Sequence, residues 1–227
     1  RHTRYISVTG VQTCALPISQ RAVHVAFKTH AKGVAVPDDR CEIFSYPGGY
    51  GGTNRVEGGS HNLCFIAAAA DVKHSGSDPE AVLRNVVRRN ARADHVLRNA
   101  EFPIEWLAVP IERFGRSKPS PISGLLAVGD AASFIDPFTG SGMLLALESS
   151  RIAATSILDG GPDVSGAYDR RYNELFSRRL LVCSLLRRAS FVPFLAEATI
   201  AALAASPALT RLLARSTRST KAFSAVD

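Results

Sequence analysis

The chain has 227 residues, 46% of them hydrophobic and 21% charged, which describes an ordinary globular protein rather than a fibrous or disordered one. Its formal charge is +7, but the arginines are scattered or paired on helical segments (Arg88-Arg89, Arg170-Arg171, Arg178-Arg179, Arg187-Arg188), with no basic loop interleaved with aromatics. That pattern reads as solvated helix faces and argues against a nucleic-acid partner.

In chain order, residues 1–19 stand apart. VTGVQTCALPI (8–18) reads as a translation of a common short-read sequencing adapter, and RHTR (1–4) as another piece of the same oligonucleotide. Tyr5, Ile6 and Ser7 fill the gap in which that oligonucleotide carries its barcode. A secretory signal is the competing reading, but no run of about seven apolar residues occurs there. The chain begins with Arg1 and its single methionine is Met143. The expectation is therefore an adapter-derived 1–19 ahead of the C-terminal part of a longer protein. Setting aside Arg1 and Arg4, in a stretch without acids, takes the formal charge from +7 to +5. The remaining cysteines, Cys41, Cys64 and Cys183, are far apart and odd in number. They point to neither a disulfide framework nor a zinc site, and fit a reducing cytoplasm. The histidines have no metal spacing, so no metal is expected.

From Arg21 to Lys28 apolar and polar residues alternate, which predicts a half-buried strand. Cys41–Tyr46 and Asn62–Ala69 are further strands. Between them YPGGYGGTNRVEGG (46–59) holds six glycines and so permits positive φ and close backbone approach. Ser77-Asp-Pro-Glu80 predicts a capping box opening a helix to about Asn99, with Leu83, Val86, Val87 and Leu97 as its buried stripe. Glu105–Ile111 is another strand, and the polar connection 113–123 marks a domain crossing. GLLAV (124–128) reads as a buried strand. A nearly all-apolar, and so buried, helix is expected over Ser141–Leu158. Two helices follow, over Ser165–Ala189 and Phe194–Arg215, the second breaking near Pro207. No stretch reaches the roughly 20 apolar residues of a transmembrane span.

The informative string is GLLAVGDAASFIDPFTGSGMLLALESSRIAA (124–154). A strand ends in Gly129-Asp130, and a loop through Pro137 leads to Gly140-Ser141-Gly142 at a helix start. Such a start offers unpaired N–H groups and the positive end of a helix dipole, suited to a phosphate or an electron-rich carbonyl oxygen. Asp130, at a strand's carboxyl end, can accept hydrogen bonds from a sugar hydroxyl. Taken singly, each feature is equally a plain turn or a helix cap.

The whole string resembles the second FAD-binding motif of the geranylgeranyl-reductase and aromatic-hydroxylase flavoproteins, roughly G-D-A-A-x-x-x-x-P-x-x-G-x-G. Gly129, Asp130, Ala131, Ala132, Pro137, Gly140 and Gly142 fit in register. The resemblance implies that Asp130 binds the ribityl chain and that the amides of Gly140, Ser141, Gly142 and Met143 face the flavin pyrimidine edge. A second likeness, to the geranylgeranyl reductases' Tyr-x-Trp-x-Phe-Pro and Asn-Val-Gly-Ile-Gly, is carried by Phe44, Tyr46, Pro47 and Asn62. Glu42 replaces the first aromatic, and the later glycines are absent. Phe44, Tyr46, Pro47, Tyr50 and Trp106 would then line an apolar substrate pocket; packing in an ordinary core is their other reading.

These resemblances imply an α/β (α+β) fragment in three parts. A partial, mainly antiparallel substrate-domain sheet spans 20–118, the C-terminal portion of a Rossmann-like FAD-binding domain spans 119–160, and a helical tail spans 161–227. The implied activity is FAD-dependent reduction or hydroxylation of an apolar isoprenoid- or polyketide-like small molecule, with NAD(P)H as electron donor. No Gly-x-Gly-x-x-Gly opens a helix here, so the fragment alone is expected to be inactive. The catalytic residues are unknown. The alternative is a non-enzymatic module making peripheral membrane or partner contacts through its basic C-terminal helices.

Overall fold

The computed structural model describes residues 22–112, 114–134 and 140–217, so the adapter-like 1–19 and Pro137 lie outside the described residues. These residues form two compact units, one of 22–112 with 188–201 and one of 114–134, 140–187 and 202–217. The division between 113 and 114 falls at the start of the connection expected to carry the crossing, ahead of the expected 118/119 boundary. Residues 161–187 belong with the motif loop rather than forming a separate tail.

The first unit is built on an antiparallel sheet. Its strands are β1 (His24–Ala31), β2 (Cys41–Tyr46), β3 (Gly49–Arg55), β4 (His61–Ala68) and β5 (Leu107–Ile111), in the order β2-β3-β4-β1-β5. Much of the glycine-rich segment 46–59, to which the sequence pattern assigns no element, is strand β3. Glycine is demanded there by crowding: a Cβ on Gly51 would lie 2.8 Å from the Phe65 Cβ of β4, and one on Gly49 would overlap the Ile66 carbonyl oxygen. Composition marked the close approach but not the ladder that causes it.

Helices α1 (Ala69–His74), α2 (Pro79–Asn85) and α3 (Ala91–Leu97) pack onto the sheet. Phe27, Phe44, Tyr46, Leu63 and Phe65 meet Val82, Leu83, Val86, Val87, Val96 and Leu97 in one core. The single helix expected from 77 to 99 is two. The cap of α2 is Asp78, whose carboxylate accepts from the amides of Glu80 (3.2 Å) and Ala81 (3.1 Å), rather than Ser77. Asn90 accepts from the amides of Arg92 and Ala93, both at 3.0 Å, and so starts a new helix mid-pattern. Asparagine competes for backbone donors in this way, which periodicity alone does not register. The buried stripe Leu83, Val86, Val87 and Leu97 is as expected.

In the second unit a short ladder pairs β6 (Gly115–Arg116) with β7 (Ser133–Phe134). Helix α4 spans Gly142–Leu158, and α5, Val164–Ser190, begins here. Two further helices, α6 (Pro193–Ala205) and α7 (Pro207–Thr217), break before Pro207. Residues 124–128 are not a buried strand: no strand pairs with them among the described residues, and Leu125 is 50% exposed. A strand exists only where a neighbour accepts its hydrogen bonds. Helix α4 also departs from expectation. It buries Leu145, Glu148, Ser149, Ala153 and Ser156, while Met143 and Leu147 are 82% and 60% exposed.

Candidate functional site

The motif loop is held from beneath by side chains whose own partners are fixed. At its start Gly129 has φ +55°, and a Cβ there would meet the Ala146 Cβ at 3.1 Å, so only glycine lets the loop approach α4 this closely. The Gly129 amide donates to Ser149 Oγ (2.9 Å), which donates to the Ala146 carbonyl (3.1 Å). From α5, the Tyr168 hydroxyl donates to the Ala127 carbonyl (2.7 Å) and the Tyr172 hydroxyl to Ser133 Oγ (2.8 Å). Burial pushes both phenols above their ordinary value, so both remain donors.

Buried Glu148 and Arg179, each with a side chain 6% exposed, form an ion pair at 2.7 Å. Arg179 also donates to the Ser141 carbonyl at 3.4 Å and lies over the Phe176 ring. One guanidinium thus fixes both the second turn of α4 and the residue from which that helix starts.

The structure leaves the opposite side of this helix start open. Ser141 precedes α4 without capping it through its side chain, and no acid stands in the first turn. No described residue lies within 4 Å of where a Cβ on Gly142 would sit, so packing among the described residues does not require glycine there. Gly140 turns the chain at φ +61°, and Met143 is exposed. Ala131 is half-buried. Asp130 is exposed and has no hydrogen-bond donor among the described residues; protein packed on one side of its carboxyl partly strips its water and raises its pKa. Asp130 and Ala131 thus lie in the short turn ahead of β7, and Gly140, Ser141, Gly142 and Met143 at the start of α4; Pro137, between them, lies outside the described residues.

Of the five positions read as a substrate pocket, Phe44, Tyr46 and Trp106 meet in one packed core, Tyr46 and Pro47 border one cleft, and Tyr50 lies on the other sheet face. Phe44 and Tyr46 are each 1% exposed within the core under α1–α3, and the Tyr46 hydroxyl donates to the Ile66 carbonyl (3.0 Å). Trp106 packs on Phe65 and Phe102, with ring centroids 5.6 and 5.1 Å away, against that same core. Tyr50 points to the other sheet face, where it meets Phe191 at 6.1 Å. Pro47 sits in the β2–β3 turn beside a cleft of about 280 Å³ that Ile43, Asn90, Pro193 and Glu197 also line. Alternation along a strand separates Tyr46 from Tyr50 in space, which a linear motif does not show.

Sequence reading missed the support beneath the loop: Glu148, Ser149, Tyr168, Tyr172 and Arg179. A signal existed for Glu148, the lone acid in GMLLALESSRIAATSIL. Its partner lies 31 residues on and is not marked by spacing.

No protein-family profile matches the chain. The fold is shared with solved FAD-dependent enzymes. The chain is similar to a flavin-dependent brominase, Bmp2, at TM-score 0.67 and 17% identity, over 86% of this chain and 50% of that one. It is also similar to a geranylgeranyl bacteriochlorophyll reductase-like protein of Thermoplasma acidophilum, at TM-score 0.58 and 19% identity, over 91% and 51%. In sequence it is 30% identical to the digeranylgeranylglycerophospholipid reductase of Methanothrix thermoacetophila over 183 residues, 75% of this chain and 43% of that protein. A shorter match, 41% over 71 residues, is to conditioned medium factor receptor 1 of Dictyostelium discoideum, 30% of this chain and 14% of that protein. The chain thus spans about half the length of these solved relatives and less than half of the curated ones.

Removing one member of the Glu148–Arg179 pair strands the other charge. Glu148→Gln or Arg179→Met is expected to cost about 3–5 kcal/mol, whereas the double replacement by leucine and methionine recovers most of it. Urea unfolding midpoints of the three variants check this.

Asp130 has a raised folded-state pKa, so the stability it contributes is present below the unfolded value and lost as pH rises through the folded one. Asp130→Asn should therefore leave the chain no less stable at pH 7 than the parent, an advantage that fades toward pH 4. Unfolding curves at the two pH values check the sign.

Proposed function

We propose that this chain supplies the flavin-holding loop of an FAD-dependent oxidoreductase that reduces an apolar, isoprenoid-like small molecule, with NAD(P)H as electron donor. The observation that carries the flavin reading is the conjunction at residues 129–143: an unpartnered Asp130, an uncapped helix start, and a Gly142 with open space where a Cβ would stand.

The residues present fit the cofactor. Asp130 would hold the ribityl hydroxyls as a hydrogen-bond acceptor. The amides of Gly142 and Met143 would donate to the pyrimidine carbonyls, where the positive helix end favours electron density. Glycine at 142 would leave the backbone accessible to the ring edge, as a side chain would not. When bound, FAD supplies the redox chemistry, and the protein's part is to bind and orient it.

The similarity to a digeranylgeranylglycerophospholipid reductase favours reduction of an isoprenoid chain. Hydroxylation of a polyketide-like substrate is the second reading, in keeping with the fold shared with a solved FAD-dependent monooxygenase. Nothing in the comparisons favours the non-enzymatic module.

In the protein expressed with its upstream coding sequence, Asp130→Ala and Gly142→Val should each weaken FAD binding by about tenfold to a hundredfold. That range corresponds to a lost charge-assisted hydrogen bond of roughly 1.5–3 kcal/mol. Flavin fluorescence titration measures it, and unchanged affinity in both variants would contradict the assignment.

A further inference from the structure

The C-terminal helix α7, Pro207–Thr217, is one of the least covered elements of its unit. Leu209, Leu212 and Leu213 stand at i, i+3 and i+4 and so share one stripe. Leu209 and Leu212 are 42% and 65% exposed, and Leu213 is half-buried. Arg211 and Arg215, also one turn apart, lie roughly 130° around the axis from that stripe. Both are exposed and neither meets a carboxylate among the described residues; Arg211 Nε donates only to the Pro207 carbonyl (3.3 Å). The helix contains no acid, and the sequence after it adds Arg218 and Lys221 before the first acid, Asp227.

At 1.5 Å per residue, α7 is roughly 16 Å long, about half the thickness of a bilayer's hydrocarbon core. It therefore cannot span. An exposed leucine stripe flanked by unpaired arginines has the form of a helix lying in a membrane interface, its apolar side among the acyl chains and its cations among anionic headgroups. A protein partner of equal fit would need an apolar groove edged with acids, whereas an anionic bilayer offers both features over any area.

We propose that α7 is a peripheral anchor that docks this protein on an anionic lipid bilayer. Arg211 and Arg215 supply the electrostatic attraction, and Leu209 and Leu212 the insertion. This is independent of the flavin loop, since no residue is shared.

The test is co-sedimentation of the full chain with phosphatidylcholine vesicles, either pure or containing about 30% phosphatidylglycerol, at low and raised salt. Binding is expected on the anionic vesicles, weakened by salt, and about tenfold or more weaker on the neutral ones. Each arginine at an anionic surface contributes about fivefold. Arg211→Glu with Arg215→Glu should therefore weaken binding by about 25-fold or more, and Leu209→Gln with Leu212→Gln should also release the protein. All four side chains are solvent-facing, so the far-ultraviolet circular dichroism of the variants should match the parent. Equal binding to both vesicle types, or undiminished binding of the charge-reversed variant, overturns the proposal. So does self-association that the leucine variant abolishes without any vesicle binding, which would make a second copy the occupant.

Discussion

The second unit turns on one buried ion pair. Glu148 and Arg179 meet at 2.7 Å inside the protein, where charges withdrawn from water must stay together. Such a pair is poor evidence of net stability but strong evidence of position. It fixes the second turn of α4 against the middle of α5, and the same guanidinium reaches the Ser141 carbonyl. The first turn of α4 is thereby set from behind, and its unpaired amides face away from the pair. Ser149 and the two tyrosines extend the same logic, each tying a segment of the loop to a helix. Ala127, Gly129, Ser133 and Ser141, on either side of the loop, are thus each tied by a hydrogen bond to α4 or α5, the support that preorganised binding needs.

This also accounts for the inverted dress of α4. A helix of its composition is ordinarily buried on every side. Here the polar Glu148, Ser149 and Ser156 are inside because they serve the loop and α5, while Met143 and Leu147 are left outside. The binary pattern could not reveal this, because the long-range partner of Glu148 has no local signature. The turn at Gly129 and the helix start near Gly142 were legible, because glycines at fixed offsets answer to local backbone geometry rather than to distant packing.

The sheet unit shows where reading by pattern ends. Strand β1 was visible through alternation, because one of its faces meets the helix layer; β2 and β4 send residues into the same core, whereas β5 is exposed except at Ile111. Strand β3 was hidden because the close contact of Gly49 and Gly51 with β4 removes the side chains that alternation depends on. The aromatic likeness around Phe44–Pro47 identified real neighbours in sequence, yet strand geometry sends Tyr46 into the core and Tyr50 to the other face. Conversely, the mixed α/β class, the antiparallel sheet and the helical C-terminal region were all readable from periodicity together with the motif.

The flavin assignment is tested most directly by the visible absorption spectrum of the protein expressed from its genomic reading frame. The account predicts purified protein with the two visible absorption bands of an oxidised flavin, released as FAD on denaturation, and an upstream strand–Gly-x-Gly-x-x-Gly–helix. A colourless protein that does not take up added FAD, from a frame without that upstream element, would contradict it.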